Sequence, residues 1–232
     1  MTAENFRLVG DEFVGHLLRH ADLQPTDRVL DLGSGSGRLA IPLTAQLGPT
    51  GRYDGIDVHA GAVAWCEQHI TPQHPRFHFH HADVRNAFYN PKGRLASAEH
   101  QLPFDDDSFD VVVLASVFTH LLPDAVAHYL GEIQRVLAPG GRLMTTYFLL
   151  DEQSRAAIEA GTAAIRFRPS PADTWVVDPG VAEAAVAIDE LVVRRLHDEA
   201  GLPVRDLHPG SWARPEGVTF QDLVVATPQR GG

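Results

Sequence analysis

The hydrophobic positions of the chain alternate between short apolar runs and stripes at helical spacing. Phe6, Val9, Phe13 and Leu17 predict an amphipathic helix ahead of the first strand. Val29, Leu30 and Leu32 predict a strand over 28–32. Leu39, Ala40, Ile41 and Leu43 continue at helix-compatible spacing to Leu47, where Gly48-Pro49 stops them, and Pro42 is expected to bend that helix. Residues 52–57 read as a second strand, 61–70 as a helix that Pro72 prevents from continuing, and 76–82 as a third strand. Residues 109–115, F-D-V-V-V-L-A, form a near-continuous apolar run, the mark of a strand buried on both faces. Pro123 opens the next helix, with Asp124 in its first turn. Val126, Tyr129, Leu130, Ile133 and Leu137 give that helix an apolar side, and Pro139-Gly140-Gly141 is expected to end it. A strand over 142–149, a helix over 188–200 and strands near 203–207 and 219–226 complete the pattern.

This order predicts an α/β fold, doubly wound around a mostly parallel sheet. Only about a dozen residues without helical pattern separate the last two strands, which favours a hairpin and an antiparallel last pair. Two connections exceed what the alternation needs, 84–104 and 150–187. Long connections at the carboxyl edge of such a sheet usually cover the ligand crevice, so both are expected to cover substrate. Residues 1–227 read as one domain and 228–232 as a frayed tail.

Composition narrows the partners. At 232 residues and 44% hydrophobic content, the chain can bury the core of one large domain. A formal charge of −11 argues against a grip on nucleic acid and against an anionic membrane surface. No apolar run approaches the ~20 residues of a membrane span. The first residues, M-T-A-E-N-F-R, lack a basic segment followed by an apolar one, so no signal peptide is expected. The only cysteine, Cys66, cannot pair within the chain and suits a reducing cytoplasm, the expected location. Its apolar neighbours make it a core thiol. The oligomeric state is not legible.

The chemistry begins at V-L-D-L-G-S-G-S-G, residues 29–37, where the first strand runs into an acid and three glycines at alternate positions. Such a turn lets a ligand approach the backbone closely. Asp31 would repel a dinucleotide pyrophosphate and favour an ammonium or sulfonium, which points to S-adenosylmethionine (SAM). Asp57 and Asp83 end the next two strands. Asp57 is placed to accept hydrogen bonds from two ribose hydroxyls and Asp83 from an adenine amine. The Val84 amide is placed for a ring nitrogen and Val58 for the adenine face. Each acid alone would read as a turn or cap residue.

With these residues in place, the chain resembles a class I SAM-dependent methyltransferase. V-L-D-L-G-S-G-S-G is similar to the first motif of that family, G-I-D (55–57) to the second and A-D-V (82–84) to the third. L-P-F-D-D-D-S-F-D-V-V-V-L-A-S-V-F-T-H-L-L-P resembles the region of strand four, and R-V-L-A-P-G-G-R-L the turn before strand five. The resemblance implies a seven-stranded sheet with an antiparallel last strand. It also implies that Asp31, Gly33, Ser34, Gly35 and Gly37 hold the methionine part, Asp57 the ribose, and Asp83 and Val84 the adenine. Ser116 and Val117 would flank the sulfonium, and S-adenosylhomocysteine (SAH) would be the product.

The position after strand four reads S-V-F-T-H rather than the N/D-P-P-Y type of nucleic-acid amino-methyltransferases. No acid lies between Leu114 and Pro123, so no metal is expected. A small-molecule acceptor is expected, preferably a hydroxyl oxygen, with His120 as candidate general base. His120 reads equally as a packed helix-entry residue. His59 is expected to cap the helix that follows it. Tyr89 and Tyr147 are further candidate acceptor contacts, and His208 and Trp212, before the last strand, are weaker ones; each of the four is more often a packing residue. F-H-F-H-H (77–81) reads as a strand surface, because His78 and His80 share one face and His81 takes the other. N-methylation and a protein acceptor stay open. So do a nicotinamide-dependent oxidoreductase, disfavoured by Asp31 and the glycine spacing, and a non-catalytic SAM-binding module.

Overall fold

A computed structural model describes residues 2–171 and 173–229. Seven strands form the main sheet: β1 (Arg28–Leu32), β2 (Arg52–Asp57), β3 (Phe77–His81), β4 (Phe109–Leu114), β5 (Leu137–Tyr147), β6 (Val204–His208) and β7 (Asp222–Ala226). Their order is β6-β7-β5-β4-β1-β2-β3. The five strands from β5 to β3 pair in parallel, whereas β7 runs antiparallel to both β5 and β6. The expected α/β class, the seven-stranded mostly parallel sheet and the antiparallel last strand are all present.

Strand order reverses between β1 and β4. The chain leaves β1 towards β2 and β3, then crosses back to lay β4 on the other side of β1. In open α/β sheets a crevice opens at that reversal, beyond the carboxyl ends of the strands.

The helices cover both faces. Helices α1 (Ala3–His20), α2 (Ala40–Leu43) and α3 (Ala60–His69) lie on one side. Their Phe13, Leu17, Leu43, Val63 and Cys66 pack with Val29, Val111, Val113 and Met144 of the sheet. On the other side, α4 (Pro123–Val136) and α6 (Glu190–Glu199) pack Val126, Leu130, Ile133, Val193 and Leu196 against Leu30, Leu32, Val112 and Leu114. The apolar run of β4 is thus divided between two cores by its alternation.

Local chemistry sets the helix ends. Thr2 accepts from the Asn5 amide ahead of α1, and the His59 ring accepts from the Ala62 amide (3.1 Å) ahead of α3. Pro123 supplies the first turn of α4. α5 (Glu152–Ala160) opens on a reciprocal Asp151–Ser154 capping box and closes on Gly161 at φ +71°.

Three expectations are corrected. The helix expected to reach Leu47 keeps four regular residues, Ala40–Leu43. Pro42 has no amide to give, and the chain tightens into three-residue turns through Ala45 and Gln46. Pro139-Gly140-Gly141 does not separate α4 from β5. The strand begins at Leu137, and the triplet bulges out between the Phe109–Leu137 and Val111–Arg142 pairs, with Gly140 at φ +80°. Residues 150–187 hold more regular structure than their polar composition suggests. Beyond α5 they add strands over Arg168–Ser170, Thr174–Val176 and Val186–Asp189, in a small sheet joined through Leu149–Leu150. Phe148, Leu150, Phe167, Ala187 and Trp212 close a third core between this sheet and the segment before β7.

Of the tail expected to fray, residues 230–232 lie outside the described residues, and the Gln229 amide donates to the Gly201 carbonyl (3.0 Å). Among the described residues no helix is long and apolar enough to cross a membrane.

Candidate functional site

A cavity of about 760 Å³ opens at the β1–β4 reversal. The glycine turn forms its floor. The amides of Gly33 and Ser34 both donate to the Ile56 carbonyl (2.8 and 3.2 Å), which pins the turn to β2. Gly33, Gly35 and Gly37 have φ of +84°, +52° and +83°, a left-handed path that side chains disfavour. A Cβ on Gly33 would lie 2.4 Å from Cγ2 of Val117, so the turn and the loop after β4 interlock at that glycine. A Cβ on Gly35 would meet nothing within 4 Å, which leaves its backbone open to the crevice.

Of the expected site residues, Gly33, Ser34, Gly35, Asp57, Val58, Val84, Ser116, Val117 and His120 line this one cavity. Asp57 accepts from the Gly35 amide (2.7 Å) through one oxygen and from the His59 amide (2.8 Å) through the other. Its carboxylate therefore braces the turn and faces the cavity with lone pairs to spare. Ser34 is buried, and its Oγ has no hydrogen-bond partner.

Three residues stand elsewhere. Gly37 lies behind the turn, where a Cβ would press on Ile70 and Cys66. Asp31 is fully buried beneath the turn and does not reach the cavity wall. One of its oxygens accepts from the Tyr53 hydroxyl (2.6 Å), while Oδ1 has no partner. Burial pushes the Asp31 carboxyl up to about 7, against smaller downward pulls from the Tyr53 hydrogen bond and Arg38. Asp83 turns away from the cavity and pairs with Arg94, which holds its pKa below the usual range. The Val84 amide, expected to face a ligand nitrogen, donates to the Ala82 carbonyl (2.8 Å).

His120 ends the short helical turn Phe118–His120 and lines the cavity. Its Nδ1 donates to the Glu183 carbonyl (3.0 Å), so Nε2 carries the lone pair and lies 3.3 Å from the Tyr89 hydroxyl. Burial lowers its pKa, with smaller upward pulls from the backbone of Glu183 and Ala184. Asn86 ties the neighbourhood together. Its amide donates to the His120 carbonyl (3.0 Å), and its oxygen accepts from the Phe88 and Tyr89 amides. The Glu183 carboxylate accepts from the Ala87 amide, so the two long connections meet above His120.

The remaining candidates divide. Tyr89 lines the cavity. Tyr147 is buried and donates to Nε2 of His197 (2.9 Å), whose Nδ1 donates to Leu202. Trp212 is fully buried and donates to Asp222 (2.7 Å). The His208 ring lies tilted against His20, with centroids 4.1 Å apart, outside the cavity. Phe6, Arg38, Trp65 and Asn86 line the cavity without having been expected. Arg38 follows the last glycine directly and was open to a closer reading; Phe6 arrives from α1, and no local pattern announces it.

Residues 30–145 match the model of the methyltransferase domain family. The chain belongs to the class I SAM-dependent methyltransferases. It is 34% identical over 210 residues to a 27-O-demethylrifamycin SV methyltransferase of Amycolatopsis mediterranei, covering 87% of this chain and 66% of that protein. It is 38% identical over 116 residues to an arsenite methyltransferase of Aquipseudomonas alcaligenes, covering 50% of this chain and 31% of the relative. The PH0226 protein of Pyrococcus horikoshii shares the fold, with a TM-score of 0.66 at 15% identity over 98% of this chain and 93% of that one. The chain spans less than half the length of several curated relatives it matches.

The cofactor of this family, SAM, fits the residues present. Ser34 offers a buried hydroxyl without a partner, Gly35 an uncovered backbone, and Asp57 a carboxylate on the wall. Most of the class I methyltransferase signature thus gathers at one crevice, with Asp31, Gly37 and Asp83 outside its lining.

Proposed function

We propose that this methyltransferase transfers a methyl group to a hydroxyl oxygen of a small molecule, with His120 as general base. The observation that carries the reading is the tautomer of His120. Nδ1–H donates to the Glu183 carbonyl, which leaves Nε2 unprotonated on the cavity side, beside the Tyr89 hydroxyl. A lowered pKa keeps the ring neutral near pH 7, the form that can take a proton from an attacking hydroxyl.

SAM supplies an electrophilic methyl on a sulfonium centre. Ser34, Gly35, Asp57 and Val58 hold the cofactor, and Ser116 and Val117 form the wall at the end of β4. Asp31 contributes charge from beneath the turn rather than a direct contact. The acceptor enters from the side of Tyr89 and His120, under the two long connections 84–104 and 150–187. The two connections touch at Ala87 and Glu183, beside His120, and a substrate held there in line with the methyl would gain from the alignment. The relative named a 27-O-demethylrifamycin SV methyltransferase has, by its name, an O-demethyl compound as acceptor, which supports an oxygen acceptor here.

The test is transfer from labelled SAM to a panel of phenols, alcohols and amines. Phenols or alcohols are expected to accept. His120→Ala is expected to cut turnover by about 10²–10⁴-fold while leaving SAH affinity unchanged. Transfer to amines alone, or a normal rate in His120→Ala, overturns the reading.

A further inference from the structure

Ser116 stands at the end of β4 with φ +65°, in the left-handed region that a residue with a side chain disfavours. It is also part of the cavity wall. Something must hold it there, and the restraint comes from outside the cavity. The Ser116 amide donates to Oγ1 of Thr146 on β5 (2.8 Å). The Thr146 hydroxyl in turn donates to Oε1 of Gln221 (2.7 Å). The Ser116 hydroxyl donates to the same Gln221 oxygen (2.9 Å). These three bonds close a ring in which one side-chain carbonyl fixes both the amide and the hydroxyl of Ser116.

Gln221 immediately precedes β7, the antiparallel strand, and does not line the cavity. Its influence passes through Ser116 to the next residue. The left-handed turn delivers Val117 against Gly33, where the valine methyl fills the space that a Cβ would need. The glycine turn and the β4 wall are therefore held in mutual register by a residue about 105 positions downstream of Ser116.

We propose that Gln221 is a positioning residue for cofactor binding: with Thr146 it holds Ser116 left-handed and so fixes the Ser116–Val117 wall of the crevice. The inference rests on the reading that the cofactor lies in this crevice. A glycine at position 116 reaches the same backbone conformation without restraint, so it should make the protein indifferent to Gln221. A packing role for Gln221 would not depend on residue 116 in that way.

The test is a double-mutant cycle read by calorimetric titration with SAH, on the whole chain. Gln221→Met keeps the length and removes the acceptor. In the native background it is expected to weaken SAH about tenfold, or about 1.4 kcal/mol, the size of one left-handed penalty. In the Ser116→Gly background the same change is expected to cost less than about twofold. Gln221→Glu retains an acceptor for both hydroxyls and is expected to bind SAH within about threefold of the native chain. Equal losses in both backgrounds, no loss in either, or a Gln221→Glu loss as large as that of Gln221→Met overturns the proposal. Thr146→Val, which cuts the relay at its middle, takes the place of Gln221→Met if that variant folds poorly. Asp57→Ala separates the two layers: unchanged SAH affinity there overturns the crevice assignment itself, whatever Gln221 does.

Discussion

Replacing Asp31 by asparagine tests the electrostatic design of the glycine turn. The carboxyl is fully buried, and its pKa rises from the ordinary 3.8 to about 7, mainly because burial disfavours the charge. That rise is worth about 4 kcal/mol of folding free energy. Its sign follows from where the proton sits. Below pH 3.8 the acid is protonated in both states and costs nothing. Between pH 3.8 and about 7 the unfolded chain ionises while the folded one does not, so stability falls by about 1.4 kcal/mol per pH unit. Above about pH 7 both forms are ionised and the loss is complete. The carboxamide of Asp31→Asn would keep the Tyr53 hydroxyl as a partner and carry no titration. The stability of Asp31→Asn relative to the native chain is therefore expected to improve by about 4 kcal/mol between pH 4 and pH 8. For a chain of this size that is a gain of about 8–16 °C in relative melting temperature across the range. Above about pH 7, where the native carboxyl is ionised, SAH affinity is expected to fall in the same variant, because the turn loses its negative charge. The assay is thermal and urea unfolding without ligand across that range, paired with titration of SAH. Parallel stability curves for the two proteins would show that Asp31 titrates alike folded and unfolded, and the argument from burial would fail.

Gly33→Ala is expected to destabilise the fold by about 2–4 kcal/mol, since the new methyl meets Val117 on a left-handed backbone; an unchanged urea midpoint would contradict this. Trp212→Phe removes one donor from the buried Asp222 carboxylate and should cost about 2 kcal/mol of stability with SAH affinity intact. A selective loss of SAH binding there would return Trp212 to the site. The rate on an accepted hydroxyl substrate is expected to fall in acid with a midpoint below 6.5, because burial lowers the His120 pKa. That acid limb should vanish in His120→Ala, and its persistence would point to a different base.

The central strand β4 was legible because burial on both faces demands a continuous apolar run, as at Val111–Leu114. The first motif was legible because close approach of ligand to backbone demands glycine, and the left-handed turn at Gly33, Gly35 and Gly37 meets that demand. What escaped depends on contacts between distant segments. Asp31, Asp57 and Asp83 look alike on paper, but Arg94 claims Asp83 and Tyr53 claims Asp31, which leaves only Asp57 on the cavity wall. The three-residue strands at Arg168–Ser170 and Thr174–Val176 are too short to show a period. Trp175-Val176 is the faint signal of the second, and Val186-Ala187-Ile188 that of the strand that pairs with it. The tautomer of His120 is set by a residue 63 positions away, which no local pattern records.

That last contact separates two kinds of heritable change. The group that orients His120 is the backbone carbonyl of Glu183, so no substitution at position 183 deletes it. An insertion or deletion in 150–187 would shift it. Point mutation can thus reshape the cavity while the imidazole keeps its proton on Nδ1, whereas a change in segment length alters the cavity and the His120 tautomer together. Selection for a new acceptor in this chain would therefore proceed safely by residue exchange, and engineered loop grafts should carry the 182–184 turn with them.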